Sequence, residues 1–180
     1  MNRPLVVVLC VLCFATLARA QELFEQGTRS FQLYGSYADT FRLGDEQTKT
    51  LNAAVGWYAY DRFSINVEAV GYSFETDGDD IEAGGADLLF RWHALVVDRF
   101  SLFLDAAGGG LYAEDQFPRG GTHFNWIARL GGGFTFELWD DVHLMSGVRY
   151  VHLSNGDRHG RPRNPSMDAV ETFVGVMWTF

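Results

Sequence analysis

Lysine is almost missing from this chain: Lys49 is the only one. Lysine and arginine together number 14 against 23 aspartates and glutamates, a formal net charge of −9. Nucleic-acid binding calls for a basic surface, so so acidic a chain argues against it. Cysteine is scarce too. Cys10 and Cys13 both lie in an apolar N-terminal run, and neither follows the small-residue context of a lipoprotein cleavage site. Proline is rare, at four residues. Beyond residue 20, no stretch approaches the ~20 consecutive apolar residues that a spanning helix needs.

The N-terminal run reads as a targeting segment. Arg3 gives a positive start, Leu5 to Leu17 is apolar, and Ala18-Arg19-Ala20 offers small residues at a cleavage site. This predicts a secretory signal over residues 1–20 and one domain over 21–180. Removing the signal takes away both cysteines and, with Arg3 and Arg19, shifts the charge from −9 to −11. A disulfide-stapled secreted domain is thereby excluded, and export excludes a reduced cytosolic enzyme.

What the chain has in abundance is glycine, 20 residues, and aromatics, at 15%. Apolar residues recur with a period of two. Phe124, Trp126, Ala128, Leu130, Gly132, Phe134, Phe136 and Leu138 alternate with a mixed set holding Asn125, Arg129 and Glu137. Such alternation marks a strand. It returns around Phe63–Ala69, Ala86–Trp92, Phe100–Ala106, Val142–Tyr150 and Val170–Phe180, and more weakly at Phe31–Ala38 and Leu51–Tyr60. The count is eight strands of about 10–14 residues, suited to a membrane strand.

A soluble sandwich also alternates, but three features favour an all-β, eight-stranded antiparallel transmembrane barrel. The polar face carries charges of both signs (Glu68, Asp87, Arg91, Asp105, Arg129, Glu137, Arg149, Glu171), which can pair across a small lumen. Aromatics such as Trp57, Tyr60, Phe63, Trp92, Trp126 and Trp178 sit near strand ends, as interfacial girdles require. The chain also ends on a strand finishing in Phe180, like bacterial outer-membrane proteins. In lipid every backbone N–H must be paired, so the sheet must close. Short connections at Asp61-Arg62, Asp98-Arg99 and Asp140-Asp141 alternate with longer ones at 40–48, 75–80, 113–122 and 155–167. Short periplasmic turns, long external loops and an even strand count predict periplasmic termini.

One hairpin carries chemistry-bearing residues. Arg149-Tyr150-Val151-His152-Leu153-Ser154-Asn155 is followed by a loop and then Asn164-Pro165-Ser166-Met167-Asp168. His152 and Ser154, two apart on a strand, share a face. It is the face of Tyr150 and Val148, the lipid side. On the last strand Asp168 falls in the lipid-facing set with Val170 and Trp178, whereas Glu171 has the opposite parity and belongs to the lumen. Parity therefore nominates Ser154 as nucleophile, His152 as base and Asp168 as the acid that orients it. Backbone N–H groups or the Asn155 amide would stabilise an oxyanion. His93, His123 and His143 have inward parity and match no zinc-ligand spacing, so no metal is expected.

His152-Leu153-Ser154-Asn155, with an asparagine-containing turn and an acid beyond, resembles the C-terminal motif of the PagL-type lipid A 3-O-deacylases, also termed acyloxyacyl hydrolases. The resemblance implies an outer-membrane barrel that removes an ester-linked acyl chain from lipid A without a cofactor, acting on lipopolysaccharide in the outer leaflet. It makes His152 the base, Ser154 the nucleophile, Asn155 an oxyanion-region residue and Asn164 the loop asparagine of the motif. Asp168 stands where better-known members have glutamate, one methylene longer, and Ser166 where glycine is common. The likeness is specific over about 30 residues of the motif region. Arg158, His159, Arg161 and Arg163 cluster in the same loop of an otherwise acidic protein. Arginine suits bidentate phosphate contacts, and lipid A is phosphorylated. The sequence leaves open a structural or adhesive barrel and a related phospholipid esterase or acyl transferase, and it is compatible with a homodimer.

Overall fold

The computed structural model describes residues 23–42, 46–76, 80–158, 160 and 163–180. The expected signal segment, His159 and Arg161 lie outside them. Eight antiparallel strands close into one barrel, each paired to its sequence neighbour and the last to the first. They are β1 (Arg29–Arg42), β2 (Gln47–Tyr60), β3 (Phe63–Glu75), β4 (Ile81–Val97), β5 (Phe100–Phe117), β6 (Thr122–Trp139), β7 (Val142–Ser154) and β8 (Met167–Thr179). Closure leaves no open edge, which a sheet in hydrocarbon requires.

The three tight turns use left-handed backbone at Arg62 (φ 65°), Asp98 (φ 50°) and Asp141 (φ 65°). Aspartate tolerates that region because its short side chain bonds locally. A register shift lies just before or beside each turn, at Tyr58/Tyr60, His93/Leu95 and Glu137/Trp139. This end of the barrel, the turn end, also holds Phe180, whose backbone exchanges two 2.9 Å hydrogen bonds with Arg29. The opposite, loop end differs from expectation. β4, β5 and β6 are 17, 18 and 18 residues long. Residues 113–122, expected to form a long connection, are largely strand: β5 passes through a register break holding Asp115 and Gln116, and Phe117 pairs with Thr122 beside a turn at 118–121.

Alternation sorts the wall as the sequence predicts. Leu51, Val55, Val67, Leu104, Leu130, Val148 and Val174 are exposed on the outside, and all eight inward charges are buried. The interior, however, is layered rather than polar throughout. A charged middle layer is capped toward the loop end by Val70, Phe74, Leu111, Ile127 and Leu153, and toward the turn end by Tyr58, Phe103, Met145 and Phe173. The segment before β1 completes the lower cap. Phe24 is buried there, its ring 3.8 Å from that of His93, and its carbonyl accepts the Arg62 N–H at 2.7 Å. His93 uses both ring nitrogens, toward Tyr58 Oη at 3.0 Å and Ser101 Oγ at 2.8 Å.

One cross-strand row explains the middle layer. Arg91, Asp105, Gly131, Arg149 and Glu171 are successive register partners on β4 to β8. Arg91 binds Asp105 through Nε and Nη2, both at 2.8 Å, and Arg149 Nη2 reaches the same carboxylate at 2.6 Å. That last bond passes across the position of Gly131. A Cβ at Gly131 would sit 2.2 Å from the Val148 carbonyl and 2.9 Å from Arg149 Cγ. Only glycine lets the guanidinium lie over the intervening strand. Arg129 serves a second group, 2.8 Å from Glu68 Oε1 and 2.7 Å from Asp87 Oδ2.

Candidate active site

The β7–β8 register pairs His152 directly with Asp168, Leu153 with Met167 and Arg149 with Glu171. A period of two then sends His152, Ser154 and Asp168 to the outer wall and Arg149, Leu153 and Glu171 to the interior. Glu171 indeed joins the buried layer. Its carboxylate accepts the Ser36 hydroxyl at 2.5 Å and lies 3.8 Å from Arg149 and 3.9 Å from Arg129.

On the outer wall His152 Nδ1 is 2.7 Å from Asp168 Oδ1. A nitrogen facing a carboxylate carries the proton, so Nε2 is left as the basic edge of the neutral ring. The Tyr150 hydroxyl donates to the same Asp168 oxygen at 2.5 Å. Asp168 is only 4% exposed, although Val170 and Val174 along the same face are open. The His152 side chain remains 39% exposed. Ser154 lies two residues farther on, half-buried, paired in register with Trp126. Among the described residues its hydroxyl forms no hydrogen bond. The imidazole of His152 is thus held by the Asp168 carboxylate, with the Ser154 hydroxyl on the same face of the wall.

Two contributors escaped the sequence reading. Tyr150 was visible as a member of the right face, but nothing in spacing marked it as a partner of Asp168. Phe41 falls in the stretch 40–48 that the sequence assigns to a connection, whereas β1 runs on to Arg42 and Phe41 keeps the outward parity of Phe31 and Leu33. Between Thr40 and Arg42 the β1–β8 register slips, so that Arg42 stands opposite Asp168. The Phe41 ring lies 6.2 Å from that of Tyr150 at 37°.

The loop after Ser154 is organised by the two motif asparagines. The Asn155 N–H donates to Asn164 Oδ1 at 3.0 Å, Asn155 Nδ2 donates to the Arg163 carbonyl at 2.5 Å, and the Asp157 N–H donates to Asn155 Oδ1 at 3.1 Å. Asn155 is buried. The loop is therefore tied to the residue that follows the nucleophile. A cavity of about 540 Å³ opens here, lined by Gln116, His123, Phe124, Asn155, Arg158 and Arg163. Gln116 belongs to the loop-end extension of β5, in a stretch the sequence assigns to a connection, and His123 stands on β6 as its alternation predicts. Arg161 lies outside the described residues.

The wall beside the His152–Asp168 pair is shallow. Ala128 on β6 and Gly108 on β5 continue the His152 row, both on the exposed face, with Trp126 and Leu130 standing on either side. Asp168 is ten residues from the girdle residue Trp178 along β8. At ~3.3 Å per residue and a tilt of ~45°, that is ~23 Å along the barrel axis, near the top of a ~25 Å apolar band.

A family model described as lipid A 3-O-deacylase (PagL) matches residues 39–177. Among solved structures the chain is similar to Neisserial surface protein A, with a TM-score of 0.64 and 14% identity, covering 85% of this chain and 96% of that one. It is similar to the outer membrane enzyme PagL, with a TM-score of 0.63 and 18% identity over 80% of this chain and 97% of that one. The outer membrane protein OprG from Pseudomonas aeruginosa gives 0.55 and 12% over 87% and 97%. At these identities the structural likeness is one of fold. No curated protein matches the chain in sequence. The family match takes in His152, Ser154 and Asp168.

Proposed function

The chain belongs to the PagL family, and on that premise we propose that it is an outer-membrane esterase removing the ester-linked 3-O-acyl chain of lipid A. One observation carries the reading: a histidine held by a buried carboxylate, 2.7 Å apart, with a serine on the same outward face of the barrel wall. A carboxylate facing lipid is costly without a purpose, and ester hydrolysis supplies one.

In the proposed reaction Ser154 Oγ turns toward His152 Nε2 and attacks the ester carbonyl as the imidazole takes its proton. Asp168 holds Nδ1–H and stabilises the imidazolium. Collapse of the tetrahedral intermediate passes that proton to the departing sugar oxygen and leaves an acyl-serine. Water, deprotonated by His152, then releases the fatty acid and restores Ser154. We assign the oxyanion to donors of the turn after Ser154, which Asn155 and Asn164 fix in place. The small-residue row at Ala128 and Gly108 gives the acyl chain a flat surface. Arg158 and Arg163, with Gln116 and His123, would receive the phosphorylated head group in the cavity above. This requires the loop end to face outward and both termini to lie in the periplasm. All three catalytic groups come from one chain, so the reading needs no second copy.

Neisserial surface protein A and OprG share the fold, so architecture alone does not separate an enzyme from a structural or adhesive barrel. A phospholipid esterase or acyl transferase would use the same residues. Mass spectrometry of lipid A from Gram-negative cells expressing the protein distinguishes these readings. Wild type is expected to remove one 3-hydroxyacyl mass and Ser154→Ala none, with both folded in the outer membrane. An unchanged spectrum with wild type, in cells and in detergent, refutes the proposal. Loss of phospholipid acyl chains instead transfers the site to the other substrate.

A further inference from the structure

We infer that Tyr150 is a positioning residue for this site, fixing the shorter acid Asp168 so that it can orient His152; the inference rests on the esterase reading above. Asp168 has the reach of an aspartate, and its carboxylate turns freely about its last torsion unless something holds it. Two donors converge on one oxygen. His152 Nδ1 approaches Oδ1 from directly across the strand pair at 2.7 Å, and the Tyr150 hydroxyl approaches it at 2.5 Å from two residues down β7. A hydrogen bond to an ionised acceptor is short and strong, and two of them on one oxygen define the carboxylate plane.

The surroundings fit such a clamp. Asp168 belongs by parity to an open face yet is 4% exposed, so it is covered. Phe41, outward on β1 with Phe31 and Leu33, makes a ring contact with Tyr150 at 6.2 Å, which backs the ring carrying the hydroxyl. Three strands thus meet at one carboxylate: β7 brings histidine and tyrosine, β8 the acid, and β1 the aromatic that backs the tyrosine. The Tyr150 hydroxyl donates to Asp168 at 2.5 Å. It acts through Asp168.

The test uses the full-length protein in detergent, with two readouts: turnover of purified lipid A and the rate of Ser154 labelling by a fluorophosphonate. Tyr150→Phe keeps the ring and removes only the hydroxyl. Loss of one hydrogen bond to a charged group should lower kcat and the labelling rate ~10-fold while KM stays within about twofold. On an Asp168→Ala background the same substitution should change the labelling rate by less than about twofold, because a residue that acts through a carboxylate has no effect once it is gone. Placing 4-aminophenylalanine at position 150 restores a donor there and should recover most of the rate. The heat-dependent gel shift of a folded barrel confirms each variant before assay. A Tyr150→Phe protein as fast as wild type, or one slowed equally with and without Asp168, overturns the clamp while leaving the esterase intact. A folded wild type that neither labels at Ser154 nor releases fatty acid overturns the esterase reading, and the clamp with it.

Discussion

Replacing Asp105 by asparagine sets two ways of counting charge against each other. The buried middle layer holds three arginines (Arg91, Arg129, Arg149) and four carboxylates (Glu68, Asp87, Asp105, Glu171). A net count says that neutralising one carboxylate balances the layer and should help. The geometry says otherwise. Asp105 is the shared acceptor of two guanidinium groups, with contacts of 2.8, 2.8, 2.6 and 3.2 Å, and it is almost fully buried. Asparagine has the same shape, but it removes the charge both arginines face and turns an NH₂ toward one of them. Breaking a buried pair on one side typically costs about 3–5 kcal/mol. Some attraction survives, because Arg149 keeps Tyr34 Oη at 3.0 Å and Arg91 keeps Gln32 Oε1 at 3.0 Å. The lower figure, about 3 kcal/mol, is therefore expected. With a urea slope near 2 kcal/mol per molar, the unfolding midpoint should fall by about 1.5 M. Reversible urea unfolding in lipid vesicles, followed by tryptophan fluorescence, reads this directly. A midpoint unchanged or raised in Asp105→Asn would refute the local-pairing argument in favour of the net count.

Further expectations concern the steric gap in that layer and the cavity above the site. Gly131→Ala places a methyl 2.2 Å from the Val148 carbonyl. It should destabilise by about 1–3 kcal/mol as the β6–β7 ladder yields, measured by the same unfolding titration. Gly108→Ala, on the outer face with only ordinary contact at 3.9 Å, is the matched control and should be near neutral. Arg158→Ala combined with Arg163→Ala should raise KM for bis-phosphorylated lipid A about tenfold or more without lowering kcat, and should have little effect on a dephosphorylated substrate. Equal effects on both substrates would remove the phosphate role from these arginines.

Strand parity was readable because lipid enforces it. Outward residues such as Leu51, Val67, Leu104, Leu130 and Trp178 are apolar, so the period of two survives at high contrast, and with it the opposite placement of Asp168 and Glu171. Signals faded where that pressure ends. Above the apolar band, β5 and β6 run on through an irregular stretch holding Asp115 and Gln116 to the pair Phe117 and Thr122, a backbone pairing that no hydropathy pattern records. Inside, Tyr34, Phe103, Met145 and Phe173 occupy inward positions with the charges, so the layering depends on which inward residues share a height, a matter of register. The bulge at Thr40/Arg42 is a backbone event with no residue signature of its own. Tyr150 was legible as a member of the outward face, but Phe41, in a stretch assigned to a connection, was not, and neither was their contact.

The pairing of β8 with β1 makes the surroundings of the site depend on closure of the barrel. The hairpin of β7 and β8 can bring His152 to Asp168 unaided, but Phe41 and Arg42 arrive only when the first strand meets the eighth across a separation of more than a hundred residues. A chain still open along that seam would carry the reactive residues without the wall that shields them from water. On the esterase reading proposed above, hydrolysis would therefore report that the cylinder has been sealed.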